Sequence, residues 1–424
     1  MGPVSRVIID TDPGVDDILA LLLALSATAG EIEVLLISLT FGNIQVRSCL
    51  RNVVSMFHII ERELEWRRQR GQTERFEALK AFRPTIAVGA DQPLDDEMML
   101  ADYFHGLDGL GDVHSTHPHL TPEETWESVF FPSAGPAVEP APSAQHASFI
   151  VSTKPAHQEI LRILRENDPG TITIVAVGPL TNLALAAAED AETFLQAKEV
   201  VVMGGVVDRP GNVTPLAEFN TFADALASAR VFALTSPKPS STMPPTNLAT
   251  PSALPAYPEG LSKKLTLKLF PLDITTSHNL TRGQFRTRVA PIAATGSPLA
   301  EWLSAILAHS FGKLDALHPG HEGDRAALSL HDPLCIWYAL TPTSPAWTAS
   351  ADSPVDIRVE TTGQWTRGMC VVDRRDRKRR DDDGPDSSDH GHWLSDKRGN
   401  RIWKMAGSPG CDLFGEFLLD RLFG

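Results

Sequence analysis

The sequence predicts an α/β fold, a mostly parallel, Rossmann-like sheet with helices on both faces and an active site at the strand carboxyl ends. Three observations carry this expectation. Short apolar runs alternate with longer helical segments through the first half of the chain. The runs are continuously apolar, as in strands buried on both faces. Acidic and glycine-containing turns follow several of the runs, at the sheet edge where open α/β sheets place ligands.

The first run, residues 4–9, reads as a strand, and residues 16–27 follow as an apolar-rich helix. Asp16 and Asp17 open that helix, where the dipole favours carboxylates. Residues 33–40 and 85–88 read as strands, with a helix over 46–60 between them. Strands over 171–176 and 199–203 are each followed by a helix, at 180–189 and 224–231. Residues 356–373 read as two late strands joined by a turn.

No internal repeat is visible, and residues 1–424 read as one domain with three surface insertions. Residues 115–148 are rich in Pro, His, Ser and Ala, and residues 236–258 in Pro, Ser and Thr. Residues 374–395 hold the basic run RRDRKRR followed by DDDGPDSSD. All three carry too little apolar content to pack, and the charged one reads as a solvated loop rather than a nuclear signal.

A net charge of −15 argues against a nucleic-acid partner, which needs a concentrated basic surface. Cys49, Cys335, Cys370 and Cys411 lie far apart, without metal-ligand spacing or a disulfide framework, which favours a reducing compartment. No stretch reaches the roughly 20 apolar residues of a membrane span, and no leader-like apolar segment opens the chain. The expectation is a cytoplasmic protein with no membrane partner.

The chemistry begins at Asp10-Thr11-Asp12-Pro13-Gly14-Val15-Asp16-Asp17. Four carboxylates fall on one strand-to-helix turn, and charges so close do not all stay ionised without a cation. Oxygen donors without sulfur or imidazole point to a hard ion, calcium or magnesium. Helix capping explains one or two of these residues, not four.

With this motif the sequence resembles the inosine-uridine-type nucleoside hydrolases, whose signature is DTDPGxDD. Further segments match in order: Gly42-Asn43, His105-Gly106 with Asp108-Gly109-Leu110-Gly111, and Val177-Gly178-Pro179-Leu180-Thr181-Asn182. Met203-Gly204-Gly205, Gly211-Asn212, Ala217-Glu218-Phe219-Asn220 and His331-Asp332-Pro333 continue the series. After AEFN the usual D-P-E-A run is absent, Phe222-Ala223-Asp224-Ala225 standing there instead.

The resemblance implies hydrolysis of the N-glycosidic bond of ribonucleosides to free base and ribose, in nucleoside salvage. It implies calcium held by Asp12, Asp17, Asp332 and the Val177 carbonyl. With a water and two ribose hydroxyls this gives about eight oxygens, a calcium count rather than the six of magnesium. Asp10 would orient the ligands. Asp12 is the candidate general base, His331 the proton donor to the leaving base, and Asn220 a third catalytic candidate that also binds sugar. Asp16, Asn43, Asn212 and Glu218 would hold ribose hydroxyls, Met203 would pack beside them, and His105 would line the base pocket. Such residues select against deoxy sugars.

Several of these residues also have plain structural readings. Asn43 and Asn212 each follow a glycine and suit turns. Asp332 and Pro333 suit the N-cap and first position of a helix, a role compatible with metal binding. Tyr103 and Trp302 are assigned to packing, and Asp273 receives no role. Fungal-type members of the family tilt the substrate towards uridine and purine nucleosides, and a homo-oligomer, dimer or tetramer, is expected by resemblance. Alternatives are a hydrolase of another ribosyl compound such as nicotinamide riboside, and an inactive ribose-binding member. A haloacid-dehalogenase-type phosphatase fits poorly, because it leaves Pro13-Gly14, Asp16-Asp17 and AEFN unexplained.

Overall fold

A computed structural model describes residues 4–95, 98–123, 127–131, 148–244, 254–317, 320, 322–382, 384 and 386–424. Its centre is a nine-stranded sheet. In chain order the first seven strands are β1 (Ser5–Thr11), β2 (Ile32–Leu39), β3 (Thr85–Val88), β4 (Ile150–Val151), β5 (Ile172–Ala176), β6 (Glu199–Met203) and β7 (Leu267–Phe270). Then come β8 (Asn279–Thr281), β9 (Ala327–Ser329), β10 (Thr348–Ala349), β11 (Arg358–Val359), β12 (Cys370–Val371) and β13 (Trp403–Gly407). The large sheet runs β10-β13-β7-β6-β5-β1-β2-β3-β4, while β8 pairs with β9 and β11 with β12. Within the large sheet only β10 and β13 pair antiparallel.

The placement of β1 decides where the site lies. Its neighbours are β2 on one side and β5 on the other, so the strand order reverses there. This switch point leaves a crevice beyond the carboxyl ends of β1 and β5. Alternate β1 residues feed two cores: Val7 and Ile9 pack in one layer and Ile8 in the other, all with no exposed surface. That double burial is why the strand reads as continuously apolar.

The expected first strand and first helix both form, with shifted ends. β1 continues through Asp10 and Thr11, two residues past its apolar run, so the first acidic residue is still strand. The second helix, Val46–Gln69, is nine residues longer than its apolar pattern. Its extension holds good helix formers, and buried Glu63 anchors it by pairing with Arg67 at 2.7 Å and accepting from Ser297 Oγ at 2.6 Å. Strands β4, β7, β10 and β13 escape sequence reading because they are short or carry lysine (Lys268, Lys404). The two late strands expected within 356–373 are β11 and β12.

Where they are described, the insertions lie mostly at the surface, each with a few buried anchors. The described residues of 374–395 are mostly exposed, as expected of a solvated loop, and a few ion pairs anchor them to the fold. Asp389 is buried and accepts from Arg375 (2.9 Å) and the Leu394 N–H (2.9 Å), while Arg380 reaches Asp386 at 2.5 Å. Arg358 lies 3.7 Å over the Trp393 ring and pairs with Asp356, tying the segment to β11. In the second insertion Tyr257 is buried and its hydroxyl donates to the Arg230 carbonyl. Residues 124–126 and 132–147 of the first insertion lie outside the described residues.

Candidate active site

The turn after β1 is organised around Asp17. Its Oδ1 accepts from Thr11 Oγ1 (2.6 Å) and the Asp12 N–H (3.2 Å). Its Oδ2 accepts from the Gly14 N–H (3.1 Å) and Asn43 Nδ2 (2.9 Å). The helix Val15–Ser26 thus starts on a carboxylate that reaches back to its own turn. Asp332 comes in from the late helix His331–Leu340, and Asp16, Asp17 and Asp332 place one carboxylate oxygen each within 4.8 Å of one another. The helix begins at His331 with Leu330 before it, so Asp332 lies in the first turn rather than at the N-cap. Its carboxylate faces the other two acids instead of capping the backbone.

Asp12 projects beside this cluster. Its Oδ2 accepts the Asn43 N–H at 2.6 Å, and its Oδ1, fully buried, has no partner among the described residues. Burial raises the Asp12 carboxyl well above its usual range, helped by repulsion from Asp17 and Asp16. Burial and then Asp17 bring Asp16 to about 7. Asp332 is pushed well up by burial, then by Asp16, Asp17 and Asp12. Asp10 lies behind them: burial raises it to about 7 against hydrogen bonds from Ser38 and Asn182. Acids held this close, all but Asp16 buried, are an arrangement that a hard cation neutralises.

A cavity of about 640 Å³ lies over this floor, lined also by Asn43, His105, Val177, Met203, Asn212, Glu218, Asn220 and His331. Asn220 Nδ2 donates to the Val177 carbonyl (2.8 Å) and to Met203 O (3.3 Å), leaving its Oδ1 as an acceptor. Glu218 spends both oxygens on backbone: Oε2 accepts from the Gly205 N–H at 2.7 Å, and Oε1 from the Asn220 N–H at 2.7 Å. It caps the helix Phe219–Ala223 and fixes the Met203-Gly204-Gly205 turn. Asn212 Oδ1 accepts from the Phe219 N–H at 2.9 Å, leaving its amide N–H groups available.

His105 and His331 enter from opposite elements. His105 Nδ1 accepts the Val15 N–H at 3.1 Å, so Nε2 carries its proton. Burial, with His309 and His331 nearby, lowers His105 to about 3. His331 Nδ1 meets Thr275 Oγ1 at 2.7 Å, and burial lowers it to about 4. At neutral pH both are uncharged imidazoles, suited to donating a hydrogen bond rather than a full positive charge.

All the residues expected from the motifs therefore come to one cavity or its immediate walls. The far wall is apolar, formed by Phe104, Leu272, Leu314, Leu317 and Leu328. Tyr103, assigned to packing, is half exposed and lines this cavity, whereas Trp302 is indeed fully buried. Adjacent aromatics at Tyr103 and Phe104 just before His105 were the available signal; the leucines carry none, because core helices are full of them. Asp273 also acquires a role, accepting the N–H groups of Val207 (2.9 Å) and Asp208 (2.7 Å) and so holding the loop before Asn212.

Fold and site together define an α/β enzyme with an acidic, metal-compatible pocket at a sheet switch point. Residues 7–390 match the model of the family described as inosine-uridine preferring nucleoside hydrolase. The chain belongs to that family, and it is a hydrolase acting on N-glycosyl bonds. It is 30% identical over 373 residues to a pyrimidine-specific ribonucleoside hydrolase of Salmonella paratyphi A, covering 87% of this chain and 88% of that protein. It is 29% identical over 370 residues to an uncharacterised protein of Schizosaccharomyces pombe, covering 87% and 89%. The fold matches a purine-preferring ribonucleoside hydrolase from Gardnerella vaginalis (TM-score 0.65, 19% identity, 99% and 98% coverage). It also matches a plant nucleoside hydrolase (TM-score 0.64, 22% identity, 99% of both chains). Among the described residues no helix is long and apolar enough to cross a membrane, and all four cysteines are free thiols.

Proposed function

We propose that the protein hydrolyses ribonucleosides to free base and ribose in nucleoside salvage, with calcium as its metal. The observation that carries this reading is the unpartnered, fully buried Oδ1 of Asp12 beside the Asp16, Asp17 and Asp332 cluster. A buried carboxylate oxygen without a donor is costly unless a cation or a water meets it. Asp12, Asp17, Asp332 and the Val177 carbonyl would hold the ion, with Asp10 behind them. Calcium, when bound, neutralises the acids and makes a water easier to deprotonate.

The chain's own residues do the rest. Asp12 accepts the proton of the attacking water while the water oxygen bonds to C1′. The C1′–N bond breaks with its electron pair leaving on the base, through an oxocarbenium-like ribosyl centre, and the base takes up a proton from solvent while Asp12 gives the water's proton back to solvent. Asp16, Asn43, Asn212, Glu218 and Asn220 surround the sugar and Met203 packs beside it. His105 and His331 face the base, and the leucine and aromatic wall excludes water from it. Because His331 is uncharged at neutral pH, its help to the leaving base is a donated hydrogen bond. The enzyme is proposed to act in the cytoplasm as a homo-oligomer, dimer or tetramer, on a small-molecule substrate without nucleic acid.

The test is release of base and ribose from uridine, inosine and 2′-deoxyinosine, with calcium or with EGTA, in the wild type and Asp12→Asn. The expected result is calcium-dependent release from the ribosides, much slower from the deoxy compound, and a loss of about 10²–10⁴-fold in the variant. Normal calcium binding without release from any riboside would overturn the reading.

A further inference from the structure

We infer that Thr275 is a positioning residue for His331, fixing the imidazole tautomer that presents Nε2–H to the leaving base. The inference rests on the reading of His331 as the group facing that base.

Thr275 ends the short helix Leu272–Thr275 and is fully buried. Its Oγ1 stands 2.7 Å from His331 Nδ1, its sole hydrogen-bond partner among the described residues. Two arrangements fit this distance. If Nδ1–H donates, the threonine hydroxyl accepts and its own O–H is left buried without an acceptor. If the hydroxyl donates, Nδ1 is the acceptor and only spare lone pairs of oxygen go unused. An orphaned buried donor carries the full desolvation cost, whereas an unused lone pair costs little, so the second arrangement prevails. In a neutral imidazole an accepting Nδ1 requires the proton to sit on Nε2. Nε2 has no partner among the described residues, and His331 lines the cavity, so this N–H is the one offered there.

The consequence is specific to the leaving group. As the C1′–N bond breaks, negative charge grows on the base, and a fixed donor stabilises it. With the other tautomer Nε2 would present a lone pair to that charge and oppose it. The same short helix carries Asp273, which holds the sugar-side loop, so one turn of chain aligns both sides of the cavity.

The experiment compares Thr275→Val, Thr275→Ser and His331→Ala on uridine and inosine, and on p-nitrophenyl β-D-ribofuranoside, whose leaving group needs no such help. Thr275→Val keeps the side-chain volume and removes the hydroxyl. Its kcat for the two nucleosides is expected to fall about tenfold, with the nitrophenyl substrate changed less than about twofold. Thr275→Ser is expected to restore most of the loss, and His331→Ala to show the same discrimination more strongly. An unaffected Thr275→Val beside a discriminating His331→Ala overturns the inference and leaves the role of His331 intact. An equal fall on all substrates in Thr275→Val overturns it too, as a packing defect. His331→Ala without discrimination overturns the underlying role. Nitrogen NMR of histidine-labelled wild type, with His331 assigned by its loss in His331→Ala, reads the tautomer without any threonine variant. A protonated Nδ1 there would also overturn the inference.

Discussion

Gly178 stands so close to Asp12 that a β-carbon on it would lie 2.5 Å from Asp12 Oδ1, the oxygen without a protein partner. The glycine keeps open the space beside that oxygen. The same β-carbon would lie 3.1 Å from Thr40 Cγ2, so the methyl crowds two side chains at once. Gly178→Ala is expected to lower calcium affinity at least tenfold and to cost about 1–3 kcal/mol of stability. Titration calorimetry with calcium reads the first effect, and unchanged affinity would show that Oδ1 does not face the ion.

Calcium is expected to stabilise the fold as well as the reaction. Binding at about 100 times its Kd contributes about 2.7 kcal/mol, a rise of several degrees in Tm. Asp332→Asn removes one acid from the cluster and should abolish most of that rise while leaving the metal-free protein folded. A Tm that calcium does not move in the wild type would count against the proposed ion.

Asp273 should act through the loop it holds. Asp273→Ala removes acceptors from the Val207 and Asp208 N–H groups, freeing the segment that leads to Asn212. Because the sugar contact serves ground state and transition state alike, kcat/KM should fall about tenfold, mainly through KM. Steady-state kinetics on uridine separates this from a fall in kcat, which would place the damage at the reacting centre instead.

A pH effect is expected far from the site, where Arg421 of the final helix Cys411–Phe423 pairs with Glu31 through two contacts of 2.6 and 2.8 Å. Burial alone would raise the Glu31 carboxyl, but Arg421 and the Thr28 N–H and hydroxyl more than offset it and bring it to about 2. A carboxylate lowered on folding stabilises the protein above its unfolded value of about 4.3 and loses that contribution as pH falls towards 2. The pair is partly solvated, so its worth is about 1 kcal/mol. Glu31→Gln should therefore be less stable than wild type in urea at pH 7, with the difference shrinking below pH 4. A constant difference across that range would assign the effect to packing.

The sequence by itself determined the class of fold, the switch-point motif and nearly all of the polar floor. Continuous apolar runs such as Val7-Ile8-Ile9 are the pattern of strands buried between two layers, and four carboxylates on the turn that ends such a strand do not all stay ionised without a cation. Those are local constraints, readable without coordinates. Tertiary structure decided what depends on residues distant in the chain: that Thr275 meets His331, that Asp273 holds the loop of Val207, and that Leu314, Leu317 and Tyr103 form one wall. It also decided where the charged segment is anchored, because Asp389 finds Arg375 and Arg380 only after folding. An apolar or charged residue looks the same in sequence whatever it faces, and its partner is chosen by the path of the chain between them.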